Sequence, residues 1–153
     1  MKMQETGKSL TDSDISEFEN EFQIKLPQDY IDFMLKNNGG VPEEDWIFDY
    51  IENGNANSSV IRDFFVIYKT ETGEYDDLKV AYKNGVAPPD YMPIATDPGG
   101  NVIFMAVKGE NRGKIYFGNH ELEDEKTGYM LISLISDTFS EFIEKCYVDI
   151  SED

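Results

Sequence analysis

The sequence predicts an α+β fold, and three observations carry that expectation. Apolar residues recur at helical spacing near the start, turn-separated apolar runs of strand length fill the middle, and helical spacing returns at the end. Helices, strands and a last helix follow one another in blocks rather than alternating. The expected architecture is therefore N-terminal helices, a central, mostly antiparallel sheet and a C-terminal helix. With 153 residues the chain is long enough to bury a core without metals or disulfides, and a single domain over 1–153 is the simplest division.

Each element has its own signal. Thr11 followed by Asp14 reads as a helix start of the capping-box type, with Ile15, Phe18 and Phe22 forming an apolar face behind it. Pro27 suits the first turn of a second helix, where a missing N–H costs nothing. Tyr30, Ile31, Phe33, Met34 and Leu35 continue that helix to Asn38-Gly39-Gly40, where glycine can take the left-handed conformation a helix end favours. From Val41 to Ser59, Pro42, Gly54 and several Asn and Ser residues predict irregular structure, although Trp46, Ile47, Phe48, Tyr50 and Ile51 require part of it to pack. Phe64 to Tyr68 reads as a short buried strand. Tyr75, Leu78 and Tyr82 share helical spacing, with Glu74, Asp76 and Asp77 in the first turn and Gly85 past the end. Met92–Thr96, Val102–Val107, Lys114–Phe117 and Tyr129–Ser133 are the expected strands of the sheet. Phe139, Phe142, Ile143 and Cys146 lie on one face of the closing helix.

Charge is the strongest compositional feature: 31 acidic residues against 13 Lys and Arg leave a net charge of -18. Such a field repels nucleic acid and anionic membrane and attracts basic surfaces, so direct nucleic-acid binding is not expected. With 40% hydrophobic residues the chain is nevertheless too apolar to be disordered. The lone Cys146 permits no intramolecular disulfide, the amino terminus lacks the apolar stretch of a signal peptide, and no run reaches the roughly 20 apolar residues of a membrane span. A cytoplasmic location is the expectation.

Chemistry-bearing motifs are few. Residues 94–107, IATDPGGNVIFMAV, hold an acid beside two glycines. A phosphate cradle would need a helix after the glycines, and a strand pattern follows instead, with Asp97 repelling an anion. A calcium loop would need more oxygen ligands at fixed offsets than Asp97 and Asn101 supply. A turn fits better: Pro98 at the second position, Gly99 providing the positive φ of a type II turn at the third, and Asp97 bonding to N–H groups ahead. His120 has no partner base or nucleophile identifiable by spacing, and Cys146 continues an apolar helix face. Zinc would need further His or Cys ligands. No catalytic residue, metal or cofactor is expected, and the residues make a weak case for an enzyme.

Four landmarks occur in order: 26–40 LPQDYIDFMLKNNGG, 93–107 PIATDPGGNVIFMAV, 113–120 GKIYFGNH and 138–145 TFSEFIEK. Together they resemble the SUKH superfamily, which includes the fungal cell-wall-assembly regulators and many bacterial immunity proteins. Its pattern has an "LP-x-x-Y/F" helix opening with Gly-Gly at its end, an "I/A-x-D-x-G-G/N" hairpin, a "G-x-V/I-Y" strand ending near a histidine, and an "F-x-x-F" closing helix. The resemblance covers about residues 10–147. It implies that Leu26, Pro27, Tyr30, Gly39, Gly40, Asp97, Gly99, Gly100, Asn101, Gly113, Tyr116, Phe139 and Phe142 are scaffold. It also implies a non-enzymatic domain that neutralises a cognate polymorphic toxin, with nucleases prominent among such toxins. Acidity points to a basic toxin surface, met by acids that steer association and aromatics that supply burial. Two segments combine such residues, Glu43, Glu44, Asp45, Trp46, Asp49 and Tyr50, then Glu74, Tyr75, Asp76 and Asp77, and the acids Glu121, Glu123, Asp124 and Glu125 form a third candidate patch. The alternative is a regulatory or scaffold protein of the cell-wall-assembly-regulator type binding an endogenous partner.

Overall fold

The computed structural model describes residues 1–75 and 88–149. The first helix, α1 (Asp12–Phe22), opens on the expected capping box: Thr11 N–H donates to Asp14 Oδ2 at 2.9 Å and Asp14 N–H to Thr11 Oγ1 at 3.1 Å. Ile15 and Phe18 are its buried residues, and it stops where Gln23 turns left-handed at φ 54°. In α2 (Gln28–Lys36), Pro27 is the N-cap rather than the first helical residue, its φ of -60° leading the chain into the helix. Asp29, in the first turn, accepts from the Ser140 N–H at 2.9 Å and so ties α2 to the start of the last helix, α3 (Phe139–Lys145). Tyr30 and Phe139 meet edge to face across the same junction, their ring centroids 5.2 Å apart.

Gly39 and Gly40 do take positive φ, 64° and 111°, but not as the cap of α2, which ends on an extended Asn37. Their role is close approach. A Cβ on Gly39 would lie 2.5 Å from the Phe65 carbonyl oxygen, and Gly40 exchanges both backbone hydrogen bonds with Phe64, at 3.1 and 2.8 Å. Beside them the buried Asn38 amide is fully used. It donates to the Lys8 and Ile67 carbonyls and accepts from the Ile67 N–H, pinning the amino-terminal segment to the middle of the chain.

Among the described residues the strands form three antiparallel sheets. β1 (Met3–Gln4) pairs with β2 (Val41–Pro42). β3 (Trp46–Glu52) and β4 (Asn55–Val60) form a hairpin, joined on the β3 side by the terminal β10 (Tyr147–Val148). The third sheet has five strands in the order β5 (Asp63–Phe64), β6 (Tyr91–Thr96), β7 (Val102–Ala106), β8 (Ile115–Glu123) and β9 (Met130–Ser136). This is the expected α+β architecture with an antiparallel central sheet.

The expectation of irregular structure over 41–59 is wrong. Asn53 and Gly54, with φ of 51° and 81°, are the two left-handed residues of a two-residue hairpin turn, and Glu52 pairs directly with Asn55. Asn, Ser and Ala are weak strand formers, so β4 is a strand because β3 lies beside it. The expected strand at Phe64–Tyr68 shrinks to Asp63–Phe64, although Ile67 is buried beyond it. The helix expected from Tyr75 through Tyr82 falls mostly outside the described residues. Tyr75 itself is buried edge-on against Phe18, with ring centroids 5.1 Å apart.

β6 and β7 are covered on both faces: Met92, Ile94, Ala95, Ile103, Met105 and Ala106 are all at 0% exposure. Pro93 sits inside this central strand at a register shift between Pro93 and Ala95, an arrangement that suits a residue with no N–H to donate. One connected core runs from Ile15 to Cys146 and takes residues from both helical ends and the sheets.

Space and backbone conformation act separately at two glycines, and a pair of variants should resolve them. Gly54→Ala meets no atom within 4 Å and adds only left-handed strain, so it should cost about 1 kcal/mol. Gly39→Ala adds collision with main chain and should cost more than about 3 kcal/mol. Urea denaturation of both variants measures the difference.

Candidate functional site

The 94–107 segment is a hairpin between β6 and β7, and its turn differs in detail from the expectation. Gly100, not Gly99, takes positive φ, at 89°. A type II turn centred on Pro98-Gly99 is thereby excluded, because it needs positive φ at Gly99. The loop instead fits the three-residue hairpin pattern in which a turn is followed by a left-handed glycine.

Asp97 is 3% exposed and holds this loop. Its Oδ1 accepts from the N–H groups of Gly99 and Asn101, at 3.0 and 2.8 Å. Its Oδ2 accepts from the Asn101 side-chain amide at 3.0 Å and from Ser59 Oγ on β4 at 2.7 Å. Burial alone would raise the carboxyl pKa, but hydrogen bonds from Asn101, Ser59 and the Gly99 backbone outweigh it, and the pKa falls below its ordinary 3.8. Asn101 Oδ1 in turn accepts from the His120 N–H at 3.1 Å and lies 2.7 Å from its Nδ1, the imidazole resting over Gly100. Ser59, Asp97, Asn101 and His120 thus join β4, the β6–β7 turn and β8 in one polar chain. Every carboxylate oxygen there is occupied by a scaffold donor, which leaves no lone-pair arrangement directed at a substrate.

Two further ties hold the β3–β4 hairpin to the large sheet. The Tyr50 ring stacks on Phe117 at 4.0 Å with 20° between planes, and Asn119 Nδ2 donates to the Glu52 carboxylate at 3.1 and 3.3 Å. Burial, with Glu52 and Asp97 nearby, raises the Tyr50 phenol pKa. Cys146 lies at the C-terminal end of α3, its thiol donating to the Phe142 carbonyl at 3.2 Å, and burial pushes it up to about 12. The remaining landmark residues are packing elements: Leu26, Phe139 and Phe142 are buried, Gly113 turns β7 into β8 at φ 96°, and Tyr116 packs edge-on against Tyr91 at 5.1 Å. Among the described residues, no three His, Cys, Asp or Glu side chains converge as a metal site would need, and no helix is long and apolar enough to cross a membrane.

The three acidic segments are separated by the fold. Glu43, Glu44 and Asp45 are exposed in the loop entering β3, and Asp49 points outward from that strand, accepting from the Tyr147 hydroxyl at 2.8 Å. Trp46 and Tyr50 are half-buried against the core. In the second segment Glu74 is exposed, Tyr75 is committed to the core, and Asp76 and Asp77 lie outside the described residues. In the third, Glu121, Glu123 and Glu125 are exposed on β8 and its turn, whereas Asp124 is half-buried and accepts from the Lys126 N–H at 2.8 Å. The first and third segments approach opposite ends of β3: Glu43–Asp45 precede Trp46, and Asn119, which holds Glu52, leads directly to Glu121.

Between those ends an open groove of about 770 Å³ runs along β3, β4, β9 and α3. Ile51 and Leu134 line it while 64% and 47% exposed. The expectation that Ile51 packs is wrong, since it faces solvent, and no sequence signal singles out Leu134. Ile51 became legible only through Asn53-Gly54, which sets the hairpin and hence, by period-two alternation, places Asp49 and Ile51 opposite Phe48 and Tyr50.

Asp97→Ala would remove the acceptor of four part-buried hydrogen bonds and should cost about 2–4 kcal/mol. Asp97→Asn separates charge from shape. Because the native pKa is depressed, the unfolded chain takes up the proton first as the solution is acidified. The advantage of Asp97 over Asn should therefore be full well above pH 3.8 and fade as pH falls through the lowered native value. Urea titrations of both proteins from pH 7 to pH 2 test this. The Cys146 thiol should react with an aromatic disulfide reagent only as fast as the chain unfolds, a rate that urea accelerates.

Comparison with known proteins agrees with this geometry. The family model for the SMI1 / KNR4 family (SUKH-1) matches residues 9–145. The chain is also similar to the SPbeta prophage-derived uncharacterized protein YokK of Bacillus subtilis (strain 168), with 28% identity over 145 residues, covering 87% of this chain and 72% of the relative. The matched span takes in the capped α1, the glycine-dependent close approach after α2, the Asp97 hairpin and α3, and on it this chain belongs to the SMI1/KNR4 family (SUKH-1).

Proposed function

We propose that this chain is a cytoplasmic immunity protein that binds a cognate toxin domain bearing a basic surface and neutralises it by covering that surface. The observation that carries the reading is the charge. A net of -18 is displayed in part as exposed clusters at Glu43–Glu44–Asp45 and Glu121–Glu123–Glu125, which approach the two ends of one strand. Acids held apart on a rigid sheet create a directional field. Such a field raises the on-rate for a cationic partner and disfavours nucleic acid, the competitor for a basic nuclease cleft. Family membership supports a binding role, and a prophage-derived relative fits a gene carried on mobile DNA.

The geometry of Asp97, Asn101 and His120 supports the same reading from another side. The grouping of acid, amide and imidazole that most resembles an active site is consumed in holding three elements together. Function then falls to surfaces.

Co-expression with the toxin domain encoded beside this chain's gene tests the proposal, with rescue of growth and co-purification expected. Reversing Glu43, Glu44, Asp45, Glu121, Glu123 and Glu125 to Lys together should slow association about tenfold or more and flatten its salt dependence. Undiminished protection with an unchanged on-rate would sink the electrostatic account, and a neighbouring toxin that this chain neither binds nor inhibits would sink the immunity reading.

A further inference from the structure

We propose that the groove between the β3–β4 hairpin, β9 and α3 is the anchoring site for the partner, and that it takes a segment presenting an apolar side chain flanked by lysine or arginine. This assignment rests on the immunity reading and names the surface through which it acts.

Exposure comes first. Among the described residues five large hydrophobic side chains are exposed: Ile51, Tyr68, Leu122, Leu134 and Tyr147. Ile51 and Leu134 both line the groove, and the Tyr147 hydroxyl bonds to Asp49, another of its lining residues. Scattered single apolar residues are ordinary on a protein surface, whereas a group of them around one concavity marks a binding site. Phe48 and Phe142 lie deeper in the lining and are 1% and 0% exposed. An inserted side chain would therefore meet the exposed apolar surface of Ile51 and Leu134, backed by a packed aromatic layer.

Charge identifies the occupant. Among the described residues the one cation lining the groove, Lys145, is paired with Glu141 at 2.5 Å, which leaves the Asp49 carboxylate as the charge of that lining. Along β3 the acids of 43–45 precede the groove. A partner entering here meets carboxylates before and within an apolar pocket. Apolar side chains flanked by basic ones satisfy that pattern, and an acidic segment would be repelled.

Rigidity is the third support. The inward residues of β3 are fixed by the Tyr50–Phe117 stack and the Asn119–Glu52 hydrogen bonds, so the outward Ile51 is presented without an ordering cost on binding.

Calorimetric titration of the full chain against the purified neighbouring toxin domain, with size-exclusion light scattering of the chain alone, provides the test. Ile51→Lys and Leu134→Lys should each weaken binding at least about 30-fold, whereas Tyr68→Lys, outside the groove and away from the acidic clusters, should change it less than about 3-fold. Both groove residues are exposed, and thermal unfolding of each variant checks that the fold survives. If both groove variants bind as the parent does, the groove assignment is overturned while the immunity reading stands. If the parent chain does not bind the toxin domain, both fall. If the chain alone is a dimer that Ile51→Lys dissociates, a second copy occupies the groove and the assignment to the toxin is overturned.

Discussion

A single buried carboxylate sets the arrangement on which the rest of the molecule depends. Asp97 gathers donors from its own turn, from Asn101 and from Ser59, and Asn101 passes the connection to His120. Without it the β6–β7 turn would lose its internal acceptor and β4 would lose its polar tie to the large sheet. Charge is what allows one residue to do this. A carboxylate has two oxygens and about four lone-pair directions, all of which scaffold donors use here, and bonds to an ionised acceptor are stronger than neutral ones. The same satisfaction makes the group chemically quiet. A carboxylate held below its ordinary pKa by fixed donors is a poor base, and none of its acceptor positions is left for a ligand.

Much of the fold was legible because its signals are local. The capping box at Thr11 and Asp14, the apolar face of α1, the strands of the central sheet and the closing helix all follow from spacings within one element. What was not legible depended on partners distant in the chain. β4 reads as a loop because Asn and Ser disfavour strands, and it extends because β3 offers a ladder. The two glycines after α2 suggest a helix cap by position, yet what they meet is the main chain at Phe64 and Phe65. At the Asp97 turn the sequence pointed to Gly99 as the left-handed residue and the structure gives that conformation to Gly100, because Pro98 is compatible with either turn type.

The candidate surfaces divide along the same line. The exposed acids could be named from composition alone, since a chain with this excess of carboxylates must display most of them. Their aromatic companions could not. Trp46, Tyr50 and Tyr75 look like interface anchors beside acidic residues, but the fold spends them on the core or its margin. The apolar residues that do reach solvent, Ile51 and Leu134, stand in strands whose alternation is visible only when the hairpin and the sheet edge are placed.

β3 shows how one strand can serve stability and recognition together. Successive side chains point to opposite faces. Phe48 and Tyr50 therefore pack against Phe117, and Glu52 receives the Asn119 amide, while Asp49 and Ile51 between them face outward. A substitution on the inward set disturbs an aromatic stack or an inter-sheet hydrogen bond and is felt throughout the core. A substitution on the outward set alters what the groove can accept and leaves those contacts in place. On the proposed reading, this separation lets partner contacts be changed without unfolding the protein that carries them. The Asp97 network holds the hairpin in place, and the outward face of that hairpin is what a partner would meet.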